Sequence, residues 1–187
     1  YMNEDNIICE EGPYHCFIDW NGNLNKQCAM QAIYIYALKD GIEICRYINN
    51  NEALDKFKKE YTACKKAALE IFWDKKQQVF VSGDQRQVSY ASQIWMILAG
   101  AIEGKEASQL LERVENCPIK MMTPYINHFY VETLIKCNEE TKGKKHIEEY
   151  WGGMIEEGAD TFWELFYPDN LEESPYGSHM INSYCHA

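Results

Sequence analysis

The chain has 187 residues, with 29 acidic against 18 basic and a formal net charge of −11. That balance disfavours nucleic acid, which needs a basic face, and an anionic membrane surface for the same reason. An apolar share of 46% and a charged share of 25% describe a globular chain rather than a disordered one, of a length that suits one domain or part of a larger one.

The first 23 residues are polar, carry Gly12-Pro13, and end in the compact unit Phe17-Ile18-Asp19-Trp20. They read as an extended lead-in segment, with residues 24–187 as the domain proper. Residues 24–48 place Leu24, Cys28, Ile35, Leu38, Ile42 and Cys45 at three- and four-residue spacing, which predicts a helix with one buried stripe. Gly41 is placed to break it in two. Asn51 is the expected cap of a second helix, running to about Trp73 with Leu54, Phe57, Tyr61, Cys64, Ala68 and Ile71 on one face. Its lysines, 56, 58, 59, 65 and 66, read mostly as a solvated side.

Residues 79–81 then predict a very short strand, with Ser82-Gly83-Asp84 as a turn. A third helix is expected over 89–102 with Ser89 as N-cap. A fourth is expected over 105–115, burying Leu110, Leu111 and Val114. Thr123-Pro124 starts a fifth, with proline at the first position, reaching about Cys137. A sixth is expected over 144–157, ended by Gly158. Residues 159–177 read as loop, and a last helix begins near Ser178. The result is an all-α chain of about six long helices, packed as antiparallel hairpins.

No transmembrane helix is expected, since no apolar run of about 18 residues occurs. No signal peptide is visible, but the chain reads as a piece of a longer protein, so that absence says little. The eight cysteines form no CxxC pair and show no zinc spacing. They read as free thiols packed as small apolar groups, which favours a reducing, cytoplasmic setting and leaves a periplasmic or secreted one open. No phosphate-binding, dinucleotide, zinc-protease or nucleophile-elbow motif occurs, and no cofactor or metal is expected.

Polar and aromatic residues mix at four places where helices begin or end: Asp19-Trp20, Thr123-Pro124-Tyr125 with His128, residues 158–164, and Ser183-Tyr184-Cys185-His186. Carboxylate beside tryptophan occurs twice, as Asp19-Trp20 and Trp163-Glu164. An indole face stacks on the apolar face of a sugar, and a carboxylate binds its hydroxyls. A carboxylate beside bulky aromatic surface is also desolvated, which suits acid or base work. Plainer readings stand beside these. Asp19 also fits a turn cap, Trp20 a core anchor, His128 a core histidine, and Glu164 an exposed helix residue. His179 and His186, seven apart, lack further ligands for a metal site.

Taken together, FIDWNGNLNKQCAMQAIYIYAL (17–38), SYASQIWMILAG (89–100), TPYINHFYVETL (123–134), GADTFWE (158–164) and SYCHA (183–187) resemble the C-terminal part of the catalytic domain of bacterial α-L-rhamnosidases. These are glycoside hydrolase family 78 and related six-hairpin glycosidases. The resemblance implies an α/α toroid of helical hairpins, of which this chain supplies about half. It implies inverting hydrolysis of terminal α-L-rhamnosides. One carboxylic acid protonates the glycosidic oxygen, and a carboxylate on the other face activates water. By match to the family's Thr-x-Trp-Glu motif, Glu164 takes the general-base position and Trp163 shapes the pocket wall. Asp160 stands where the family commonly has a further threonine. Asp19, Trp20 and His186 are implied substrate-binding residues, with Tyr125 and His128 as weaker matches. The family's general acid lies in an arginine-glutamate segment that this chain lacks. The implied partners are a rhamnose-containing substrate, the upstream half of the same domain, and a second copy through exposed apolar surface. The fragment alone is expected to be inactive. A non-catalytic helical carbohydrate-binding or interaction module, and a six-hairpin enzyme of another sugar specificity, remain the alternatives.

Overall fold

A computed structural model describes residues 2–9 and 16–168. The described part is all-α apart from one tiny hairpin. Six helices run in the order α1 (Gln27–Tyr47), α2 (Asn51–Ile71), α3 (Tyr90–Leu98), α4 (Gly104–Arg113), α5 (Pro124–Lys136) and α6 (Glu140–Glu156). Between α2 and α3, β1 (Trp73–Asp74) pairs antiparallel with β2 (Val79–Phe80), Trp73 opposite Phe80. The chain divides into two compact units. One comprises Tyr1–Ile18 with Asn25–Pro118, and the other Asp19–Leu24 with Ile119–Ala187.

In the first unit α1 and α2 form an antiparallel hairpin. Gln31 donates to the Cys64 carbonyl at 3.3 Å, and the Tyr34 hydroxyl donates to Glu60. α1 begins at Gln27, later than the expected 24; its stripe residues Cys28, Ile35, Leu38, Ile42 and Cys45 are buried, as the spacing predicts, and so is Leu24 ahead of it. Gly41 does not break the helix. A Cβ there would lie 3.0 Å from the Phe57 ring, so the glycine serves close approach of α2 to α1 rather than a kink. The cap of α2 is Asn50, one residue before the expected Asn51. Its backbone is non-helical, and its side chain accepts from Ala53 N at 3.1 Å. Ile71, expected on the buried face, stands 44% exposed at the helix end.

Ser89 caps α3 through Ser92 N. Gln93, fully buried, accepts from Phe80 N at 2.7 Å and donates to Phe80 O at 3.0 Å, acting as an extra strand partner for β2. That bond pair satisfies a buried peptide that a two-residue hairpin leaves open. α3 stops at Leu98, short of the expected residue 102. Tyr61 and Lys65 of α2 then donate to the carbonyls of Ala99 and Gly100. Leu110, Leu111 and Val114 are buried as expected.

In the second unit α5 and α6 form another antiparallel hairpin. Thr123 caps α5, with Pro124 in its first turn. α6 begins at Glu140, earlier than the expected 144, so that Gly143 lies buried inside the helix, facing Leu134 and Val131, rather than ahead of it. The aromatic core of this unit is Tyr150, Met154, Trp163 and Phe166. The seven described cysteines are all free thiols; Cys185 lies outside the described residues. No described helix is long and apolar enough to cross a membrane. The helix expected from Ser178 also lies outside the described residues.

Candidate functional site

The site assembles around the backbone N–H and carbonyl of one residue of the second unit, Met122. Asp19 is 6% exposed. Its Oδ2 accepts from Met122 N at 2.9 Å, and its Oδ1 accepts from Thr123 N and from Trp20 N, both at 2.9 Å. Three backbone donors thus converge on one carboxylate, satisfying N–H groups at the start of α5 that no helical carbonyl reaches. The burial that makes this clamp also disfavours its charge. Desolvation outweighs the hydrogen bonds and lifts the carboxyl to about 6.

The carbonyl of Met122 is used from the other side. It accepts from the Tyr150 hydroxyl at 2.6 Å and from Phe166 N at 2.9 Å. Burial holds the Tyr150 phenol well above its ordinary range, with the nearby Asp19 carboxylate acting in the same direction. Trp163 is 4% exposed, and its N–H donates to Met154 Sδ at 3.4 Å. Glu164 therefore sits between two anchored residues, Trp163 and Phe166. Trp20, next to clamped Asp19, reaches it: the indole Nε1 donates to Glu164 Oε1 at 3.1 Å. This is Glu164's hydrogen bond among the described residues, and its other oxygen is left for further partners.

A second polar chain lies beneath. Asn127 donates through Nδ2 to Thr123 O at 2.8 Å, which leaves its Oδ1 to accept from His146 Nε2 at 2.8 Å. That pattern assigns the proton of the neutral imidazole to Nε2. His146 lies parallel to the Tyr150 ring at 6.1 Å and edge-on to Tyr130 at 4.8 Å. Burial pushes its pKa down to about 4, against the opposing pull of Glu149, so it is uncharged at neutral pH.

The structure brings together four of the residues singled out in the sequence, Asp19, Trp20, Trp163 and Glu164. Trp163 faces the aromatic core, 5.9 Å from Phe166, and so backs Glu164. Tyr125 is 40% exposed on the first turn of α5, edge-on to Phe129 at 5.0 Å. His128 is exposed one turn on, 5.1 Å from the same ring, which removes the core-histidine reading. His186 and the SYCHA segment lie outside the described residues. Sequence reasoning missed Asn127, His146 and Tyr150. The signal was there in α6, where a histidine and a tyrosine four apart share a face with Met154. No group of three or more potential metal ligands occurs among the described residues.

Gly153 belongs to this support. A Cβ at that position would stand 2.9 Å from Phe166 Cε1, and Phe166 is both buried and pinned to Met122. Gly153→Ala is expected to lower stability by about 1–3 kcal/mol through overpacking, read as a fall in urea midpoint. An unchanged midpoint would mean that Phe166 has room to move.

A family model described as the bacterial alpha-L-rhamnosidase 6 hairpin glycosidase domain matches residues 13–187. A solved rhamnosidase from Klebsiella oxytoca with rhamnose bound is 37% identical, with a TM-score of 0.90, covering 99% of this chain and 36% of that one. A GH78 rhamnosidase of Bacillus sp. GL1 is 22% identical with a TM-score of 0.75, covering 91% of this chain and 19% of that one, a likeness of fold. No curated protein matches. The chain thus spans about a third or less of the length of these solved relatives. The motifs, the helical hairpins and the match over residues 13–187 agree, and the chain belongs to the bacterial α-L-rhamnosidase six-hairpin glycosidase family.

Proposed function

We propose that the protein is an inverting α-L-rhamnosidase and that Glu164 is its general base. The observation that carries this reading is the contact between Trp20 Nε1 and Glu164 Oε1 at 3.1 Å. It joins the two carboxylate-tryptophan pairs, 144 residues apart, around one carboxylate with an oxygen to spare. A general base must hold a water in hydrogen-bond reach and be fixed in direction. Trp20 fixes the direction, and the anchors at Trp163 and Phe166 fix the backbone. The acid partner is assigned to sequence upstream of this chain, at the roughly 6.5–9.5 Å carboxyl separation that admits a water. The 187-residue chain by itself is accordingly expected to be inactive. Trp20, Tyr125 and His128, each exposed, and His186 by its match to the family motif, are the proposed contacts to the sugar. The rhamnose bound by the Klebsiella oxytoca relative supports that choice of sugar.

The test is hydrolysis of a panel of 4-nitrophenyl glycosides by the full-length protein, with proton NMR of the product first formed. The expected result is release from the α-L-rhamnoside with β-L-rhamnose appearing first. Release from another sugar only would assign a different specificity within the fold. Binding without release from any would favour a carbohydrate-binding module, and α-rhamnose appearing first would exclude inversion.

A further inference from the structure

We propose that Asp19 and Trp20 act as positioning residues for Glu164, with the backbone of Met122 as their common reference. This rests on the reading of Glu164 as base. The argument is one of registration. Asp19 Oδ2 takes the N–H of Met122, while the Met122 carbonyl takes the N–H of Phe166, two residues beyond Glu164. The backbone carrying Trp20 and the backbone carrying Glu164 are thereby tied to opposite ends of one residue. The 3.1 Å bond between indole and carboxylate is the consequence. Asp19 has both oxygens committed to backbone amides, which is the pattern of a clamp rather than of a group held open for hydroxyls.

A single donor on Oε1 removes the rotation of the carboxyl about its last torsion, which is otherwise broad, and so aims the remaining oxygen. The aimed oxygen is the one that faces further partners, since Oε1 is already committed to the indole. Trp20 thus acts through Glu164, and the indole nitrogen, not the aromatic face alone, is what the reaction uses.

The experiment compares Trp20→Phe, Glu164→Gln and the double variant in the full-length protein. Trp20→Phe keeps an aromatic face and removes the donor. It is expected to lower kcat by about 10–100-fold, as a misaimed group does, with KM changed by less than about threefold. In the Glu164→Gln background the same change should add nothing to the loss. The Trp20 indole N–H resonance, assigned by its disappearance in Trp20→Phe, should move upfield in Glu164→Gln, because a neutral amide oxygen accepts more weakly than a carboxylate. A rise in KM at unchanged kcat would overturn the proposal and make Trp20 a sugar platform. Additive losses in the double variant would overturn it as well. Full activity of Glu164→Gln, with the indole resonance still shifting, would sink the base assignment while leaving the contact standing, so the two failures are separable.

Discussion

Glu164→Gln in the full-length protein is expected to lower kcat on an aryl α-L-rhamnoside by about 10²–10⁴-fold, the range general-base catalysis supplies. KM should change little. Glutamine is isosteric, and its amide oxygen still accepts from the Trp20 indole, so the local structure persists while the proton acceptor is gone. Glu164→Asp tests the same point through geometry. It keeps the charge but withdraws the carboxylate by one methylene, beyond the reach of the Nε1 donor at 3.1 Å. A displacement of about 1 Å can cost on the order of 10²-fold. Rates are measured on folded variants, checked by near-ultraviolet circular dichroism. A Glu164→Gln enzyme as fast as the parent would remove this residue from the mechanism.

Asp19→Asn is expected to destabilise the protein by about 1–3 kcal/mol at neutral pH, read from urea unfolding. The carboxylate accepts three backbone N–H bonds through two oxygens. An amide offers one acceptor oxygen, and its NH₂ must face one of those donors. The pH dependence separates this from loss of packing. The folded carboxyl titrates near 6 against an ordinary 3.8. Between about pH 4 and 6 the native state therefore holds more protons than the unfolded chain. Asp19's contribution is complete below pH 4 and is lost as pH rises through 6. His146 runs the other way. Its folded value near 4 against 6.5 means the unfolded chain holds more protons between about pH 4 and 6.5, so its contribution is complete above that window and is lost as pH falls. The two slopes oppose each other over the same range, and the parent should be nearly flat there. Asp19→Asn should unmask stability rising with pH, and His146→Gln stability falling with pH. The reverse signs would show that neither group is buried as described.

The Gly153→Ala substitution links the two arguments. It acts on Phe166, whose N–H shares the Met122 carbonyl with Tyr150. A variant that shifts Phe166 should also loosen the Trp20–Glu164 contact, although residue 153 is not among the groups around Glu164.

Much of the helical pattern could be read one turn at a time. The α1 stripe from Cys28 to Cys45, the Ser89 and Thr123 caps and the proline start of α5 depend on neighbours three or four residues away. The five segments that carry the family resemblance are likewise local, GADTFWE with Glu164 the most telling of them. Local chemistry left the boundaries less well determined. Gly41 sits inside α1 because Phe57 of another helix needs the space, and Asn50 rather than Asn51 caps α2 because only its backbone leaves the helical region. What the fold alone decided is the pairing of Trp20 with Glu164 and the inward turn of Asp19. Both depend on the N–H and carbonyl of Met122. Every residue carries those two groups, so no pattern of side chains announces which peptide will be buried, or which distant carboxylate and hydroxyl will be drawn in to satisfy it. The role of Asn127 was hidden for the same reason, since it follows from burial, whereas the spacing of His146, Tyr150 and Met154 did mark one face of α6.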